Sequence, residues 1–149
     1  MKPAFLNLLA AVVLFFGAGC STFKLDWDAA RALPATPKDL SGRWEGKWTS
    51  EATGHADQLR CLITKTGDLQ YLAQFHARYK RGLSFTFEYA VPLVAAETEP
   101  GHWKFSGDAE LGWYAGGAYH YEGMATATNF FSFYSCKYDH GKFELTRPK

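Results

Sequence analysis

Across residues 69–93 the side chains alternate with a period of two. Leu69, Tyr71, Ala73, Phe75, Ala77 and Tyr79 fall on one face, with mostly polar residues between them. After Lys80-Arg81-Gly82 the rhythm resumes with Phe85, Phe87, Tyr89, Val91 and Leu93, set against Ser84, Thr86 and Glu88. Successive side chains of an extended chain point to opposite faces, whereas a helix would scatter these residues around its circumference. The segment therefore predicts two adjacent strands, each with one buried and one wetted face, joined by a tight turn.

The same rhythm runs through the rest of the chain. Trp44, Gly46 and Trp48 share a face of a strand that begins at Gly42, and Leu59, Cys61 and Ile63 alternate in the next, although Leu62 interrupts its polar face. Thr66-Gly67-Asp68 and Glu99-Pro100-Gly101 have turn composition. Trp103, Phe105 and Gly107 open a fifth strand, and residues 112–117 form a glycine-bounded loop around Trp113 and Tyr114. A sixth strand covers 118–125 and a seventh 129–137, after which Asp139-His140-Gly141 closes a hairpin onto Phe143, Leu145 and Arg147. Eight strands with short connections and no long amphipathic helix predict an all-β, eight-stranded antiparallel up-and-down barrel, an arrangement that leaves no unpaired edge. A two-sheet sandwich is the alternative.

The first residues carry a different message. Lys2 precedes an apolar run over residues 4–16, broken by Asn7, and small residues follow. That pattern reads as an export signal. The run is shorter than the about 20 apolar residues a permanent membrane helix needs. Gly17-Ala18-Gly19-Cys20 resembles the lipobox of bacterial lipoproteins, departing from it at Gly17, where an aliphatic residue is usual. The resemblance implies cleavage after residue 19, acylation of Cys20 by diacylglycerol and a palmitate-like third chain. With Ser21 rather than an aspartate next, it also implies residence at the outer membrane, facing the periplasm. Residues 20–40 then read as the lipidated cysteine and a tether, with one helical turn over 28–33 ended by Pro34, and residues 41–149 as the barrel domain.

Of sixteen Lys and Arg and fifteen Asp and Glu, only Lys2 lies in the leader, so the mature chain balances its charges. A balanced chain lacks the basic footprint of a nucleic-acid binder or a polybasic membrane segment. Cys61 and Cys136 form a candidate disulfide in an oxidising compartment, or two buried thiols. Neither paired Cys-x-x-Cys spacing nor a matching histidine pattern points to zinc. Nucleophile-elbow, His-Glu-x-x-His and P-loop motifs are absent, and Ser132 and Ser135 lie within a strand without a base beside them, so neither an enzyme nor a cofactor is expected.

Gly42-Arg43-Trp44 on the first strand, with Arg147 on the last, resembles the G-x-W signature of the lipocalin and calycin barrels. The resemblance implies that Trp44 plugs one end with Arg147 across its ring, joining first strand to last. Two departures accompany it: no second lipocalin motif is evident, and the chain ends at Lys149 without room for the C-terminal helix of lipocalins. The stretches around Gly54-His55 and Tyr138-Asp139-His140-Gly141 resemble a bacterial envelope family, which implies no activity.

An eight-stranded interior either fills with side chains or holds one small ligand. Tyr71, Phe75, Tyr79, Phe85, Phe87, Tyr89, Tyr119 and Tyr121 are the candidate ligand-lining residues, with Ala73, Ala77 and Gly123 leaving room among them. A packed core is the competing reading. His120 and Glu122 share the opposite face to Tyr119 and Tyr121 and read as a surface pair; a third ligand would be needed for a metal. His55 and His140 read as turn residues near a barrel mouth, and His76 as a solvated residue. The expectation is a membrane-anchored protein binding a small hydrophobic, lipid-like molecule; the alternative is a ligand-free envelope module that contacts another protein.

Overall fold

The computed structural model describes residues 22–33 and 38–149. Cys20 and the leader, with the lipid attachment expected there, lie outside the described residues. Eight antiparallel strands form a closed barrel in chain order: β1 (Gly42–Ser50), β2 (Ala56–Lys65), β3 (Gln70–Arg81), β4 (Leu83–Glu99), β5 (His102–Glu110), β6 (Ala118–Thr126), β7 (Asn129–Ser135) and β8 (His140–Thr146). β1 pairs with β8 from Glu45–Thr146 to Ser50–Gly141, which completes the cylinder. The fold is the barrel that the alternation predicts, and the sandwich is excluded.

The buried face runs as the period of two requires. Trp44, Cys61, Phe75, Val91, Phe105, Tyr121, Phe130 and Phe143 are all buried in one contiguous core. Leu69, assigned to the buried face of the third strand, is instead exposed and precedes that strand, in the turn before Gln70.

The base of the barrel is sealed by the pair expected to seal it. Trp44 is fully buried, donates its indole N–H to the Leu40 carbonyl at 2.9 Å, and carries the Arg147 guanidinium 3.8 Å above its ring centroid. Arg147 also donates to the carbonyls of Ser41, Asp39 and Ala127. A cation over an indole face stabilises by about 0.5–2 kcal/mol, and hydrogen bonds from a charged donor add to it. Gly42 enters the strand at φ +108°, and a Cβ there would lie 2.8 Å from Arg147 Nη1. Both its backbone conformation and the arginine's approach therefore need glycine.

At the other end the barrel flares. The registered pairs of β4 with β3 extend from Gln70–Val94 to Arg81–Leu83, but those of β4 with β5 run only from Leu93–Gly107 to Glu99–His102. The first half of β4 is thus held along one edge only, and the cylinder parts there instead of keeping every edge paired.

The segment read as a tether contains a docked helix, α1 (Phe23–Arg31). Phe23 and Trp27 are buried against Leu62 on the outside of β2, and the rings of Phe23 and His76 stack at 5.0 Å. Two guanidiniums, those of Arg43 and Arg60, each approach the Trp27 ring to 5.4 Å. Leu62 interrupts the polar face of its strand because that face is covered here, and His76 is covered rather than solvated.

Candidate functional site

Above the sealed base, the inward side chains divide by height. Tyr71 sits opposite Leu93 and Lys65 at the closed end, and is buried in the core. Phe75 lies two layers higher, above the buried Ala73, and is also fully packed, with its ring against Tyr89 and Phe143 at 5.2 Å each and Tyr121 at 6.2 Å. These two predicted lining residues form the structure under the cavity rather than its wall.

The cavity itself, about 770 Å³, opens at the flared end. Five of the eight predicted residues line it: Tyr79, Phe87, Tyr89, Tyr119 and Tyr121. Phe85 stands at the rim, half-exposed, packing on Tyr79 at 4.9 Å and edge-on to Phe87 at 5.1 Å. Ala77 supplies the small position among these rings. The parted β4–β5 edge contributes Ala90 and Leu111.

Further lining residues were not among the candidates. Trp48 stacks on Tyr79 at 5.9 Å and fixes its indole by donating to the Arg78 carbonyl at 2.9 Å. Trp113 and Tyr114, both highly exposed, are carried over the opening by a single 3-10 turn, Trp113–Ala115. That turn is bounded by Gly112 at φ +86° and Gly116 at φ +100°, values that L side chains rarely adopt. Tyr134, Tyr138 and Asp139 complete the wall from the β7–β8 side.

The polar groups of the cavity are ordered around Asp139. Its Oδ1 accepts from the Ser50 hydroxyl at 2.6 Å and from the His140 backbone N–H at 2.8 Å, and its Oδ2 accepts from the Tyr134 hydroxyl at 3.0 Å. Ser50 is nearly inaccessible and in turn accepts from the Thr53 backbone N–H at 3.1 Å. The Tyr89 and Tyr121 hydroxyls act on one another, and the Tyr119 hydroxyl and Cys136 thiol do likewise. Burial pushes all four phenols upward, and the charge of Asp139 adds to the rise at Tyr134 and Tyr119. At neutral pH they are therefore uncharged hydroxyls, able to donate as well as accept.

The remaining candidates separate cleanly. Cys61 and Cys136 are free thiols rather than a disulfide. Their registers explain why: Cys61 pairs with Trp44 and Phe75 low in the barrel, whereas Cys136 follows β7 and lines the mouth. Burial raises the pKa of the Cys61 thiol well above its ordinary value. His120 is an outward residue bridging Asp108 at 2.8 Å and Glu122 at 3.6 Å. Among the described residues no group of three His, Cys, Asp or Glu side chains is placed to hold a metal. His55 packs behind the wall, its ring 4.5 Å from Tyr79 and 5.2 Å from Trp48. His140 is exposed, 4.0 Å from Glu51. Ser132 is buried and hydrogen-bonded to the carbonyls of Phe133 and Glu122, and Ser135 is exposed. No protein-family model matches the chain, and neither a curated protein nor a solved structure matches it at a significant level.

Proposed function

We propose that this chain is an envelope lipoprotein, anchored through Cys20, that holds a small and largely apolar molecule in the open half of its barrel. The observation that carries the reading is the cavity: about 770 Å³, walled by aromatic rings, above a floor that is fully packed. That volume lies within the about 300–1,000 Å³ typical of small-molecule sites, and a mainly apolar lining with a few convergent polar groups is their usual character. Burial of the guest supplies affinity, while the phenols and Asp139 orient its polar end. The role asks for binding and release, with no bond made or broken. The leader and its lipobox-like sequence support the address, and the sealed base with Arg147 across Trp44 supports the likeness to lipocalin-type barrels.

Native mass spectrometry of the purified protein tests the reading directly. A copurifying small molecule, lost when Tyr121 is replaced by Trp to fill the cavity, is the expected result. An empty barrel whose tryptophan emission ignores every apolar probe would refute it. Radiolabelled palmitate incorporation, abolished by Cys20→Ser, tests the anchor separately. The exposed Leu83, Trp113 and Tyr138 favour a second reading, in which the flared end is a contact surface for another envelope protein. A copurifying protein whose capture is lost in Trp113→Ser would support it.

A further inference from the structure

The lining of the cavity has a consistent sign. Besides its aromatic rings it includes the carboxylate-bearing residues Asp139, Glu110 and Glu88, the last of which faces His76 at 3.5 Å, and it includes neither lysine nor arginine. Asp139 is the least exposed of the three. Its three hydrogen bonds all come from neutral donors, and among the described residues no cation lies within ion-pair reach of it. One of those bonds reaches Oδ2, so that oxygen keeps accepting capacity. Glu110 spends one oxygen on the Gly112 backbone N–H at 3.0 Å, which places its charge at the foot of the turn bearing Trp113 and Tyr114.

The rings add to the same field. The face of an aromatic ring is the negative pole of its quadrupole, and converging rings form the cages that take organic ammonium groups. Trp113, Tyr114, Tyr119, Tyr134 and Tyr138 surround the polar end of this cavity together with Asp139. The rim already shows the preference, since Lys137 Nζ lies 5.2 Å from the Tyr138 ring centroid. Lys137 is not itself among the residues lining the cavity. An anionic guest such as a fatty acid would meet the Asp139 and Glu110 carboxylates, while the ammonium at the rim, that of Lys137, is already seated on the Tyr138 ring. At Asp139, which is only partly exposed, repulsion is less screened than in open water.

We infer that the guest is an organic cation: an apolar body seated among Tyr79, Phe87, Tyr89 and Tyr121, and an amine or quaternary ammonium held by the rim rings and Asp139. The inference rests on the binding reading above and narrows it to a ligand class. The test compares three probes of matched size on the full-length protein in zwitterionic lipid nanodiscs, by titration calorimetry with empty discs subtracted: benzyltrimethylammonium, its uncharged carbon isostere neopentylbenzene, and 4-tert-butylbenzoate. The ammonium is expected to bind about fivefold or more tightly than the isostere, with the benzoate weakest. Asp139→Asn, with its melting curve checked, should narrow the ammonium-to-isostere ratio. Trp113→Leu, at an exposed position that the fold does not need, should weaken the ammonium more than the isostere. An isostere or benzoate that binds as tightly as the ammonium overturns the inference while leaving the cavity reading intact. If none of the three binds, both fall.

Discussion

At the scale of single residues, the most informative contact is Arg147 on Trp44. The guanidinium is half-buried, and that burial lowers its pKa while the nearby charge of Asp39 opposes the shift. Replacement by alanine removes a cation–π contact and strands carbonyls at the base, so Arg147→Ala should lower stability by about 2–4 kcal/mol, read as a fall in urea midpoint without a change in slope. Lysine should recover little of it, because one ammonium cannot both cover the ring and reach three carbonyls. His120 makes a second prediction. Its hydrogen bond to Asp108 raises its pKa above the ordinary 6.5, with Glu122 contributing further. The stabilisation is then full below the unfolded value and is lost as pH rises through the folded one. NMR titration should find His120 above 6.5 and Asp108→Asn should return it toward that value; an unshifted wild-type histidine would contradict the bridge.

Among the elements, the strands were legible and α1 was not. Alternation announces a strand because one face must be dry and the other wet; that held along β3 and for Val91, Leu93 and Ala95 of β4, whereas Phe85 and Phe87, on the expected dry face, are exposed where β4 leaves β5. The docked helix buries only Phe23 and Trp27, too few to announce a period, and the helical turn expected at 28–33 missed them. Leu62 was the available signal, an apolar residue on a polar face that needed a cover. Alternation also reports the face of a residue but not its height. Tyr71 and Tyr79 share a face of β3, yet one lies in the sealed core and the other lines the cavity. In β7 large aromatics occupy both faces, Phe131 and Phe133 outside against Phe130 and Tyr134 inside, so the period that singled out Tyr121 was blurred at Tyr134. Asp139 read as an ordinary turn residue because its partners, Ser50 and Tyr134, are brought to it only by closure of the barrel. For α1 itself, Trp27→Ala should undock the helix while the barrel persists. Hydrogen exchange would then show residues 23–31 losing protection by roughly 100-fold, with the strand amides unchanged.

For the molecule as a whole, β1 and β8 bring the two ends of the barrel sequence together, and no local contact substitutes for that seam. Glu45 pairs with Thr146 and Ser50 with Gly141. Removing residues 140–149 should therefore abolish cooperative unfolding altogether, because both neighbouring strands lose a partner and Trp44 loses its cover. Circular dichroism melting would read this, and a sharp transition in the truncated chain would show that the seam is dispensable. Such non-local pairing also implies folding on the millisecond-to-second scale rather than in microseconds.

The sealed base has a consequence for traffic. With Trp44 and Arg147 stopping one end, the hollow is a cul-de-sac, and whatever goes in must back out past the same threshold. A second molecule cannot push the first one through, so excess competitor in solution should leave the departure rate of a seated one untouched. On the binding reading proposed above, the deep aromatic layers would decide which shapes are admitted. How long each stays would then fall to the few residues of the Trp113 turn, the part of the doorway most open to retuning without rebuilding the room behind it.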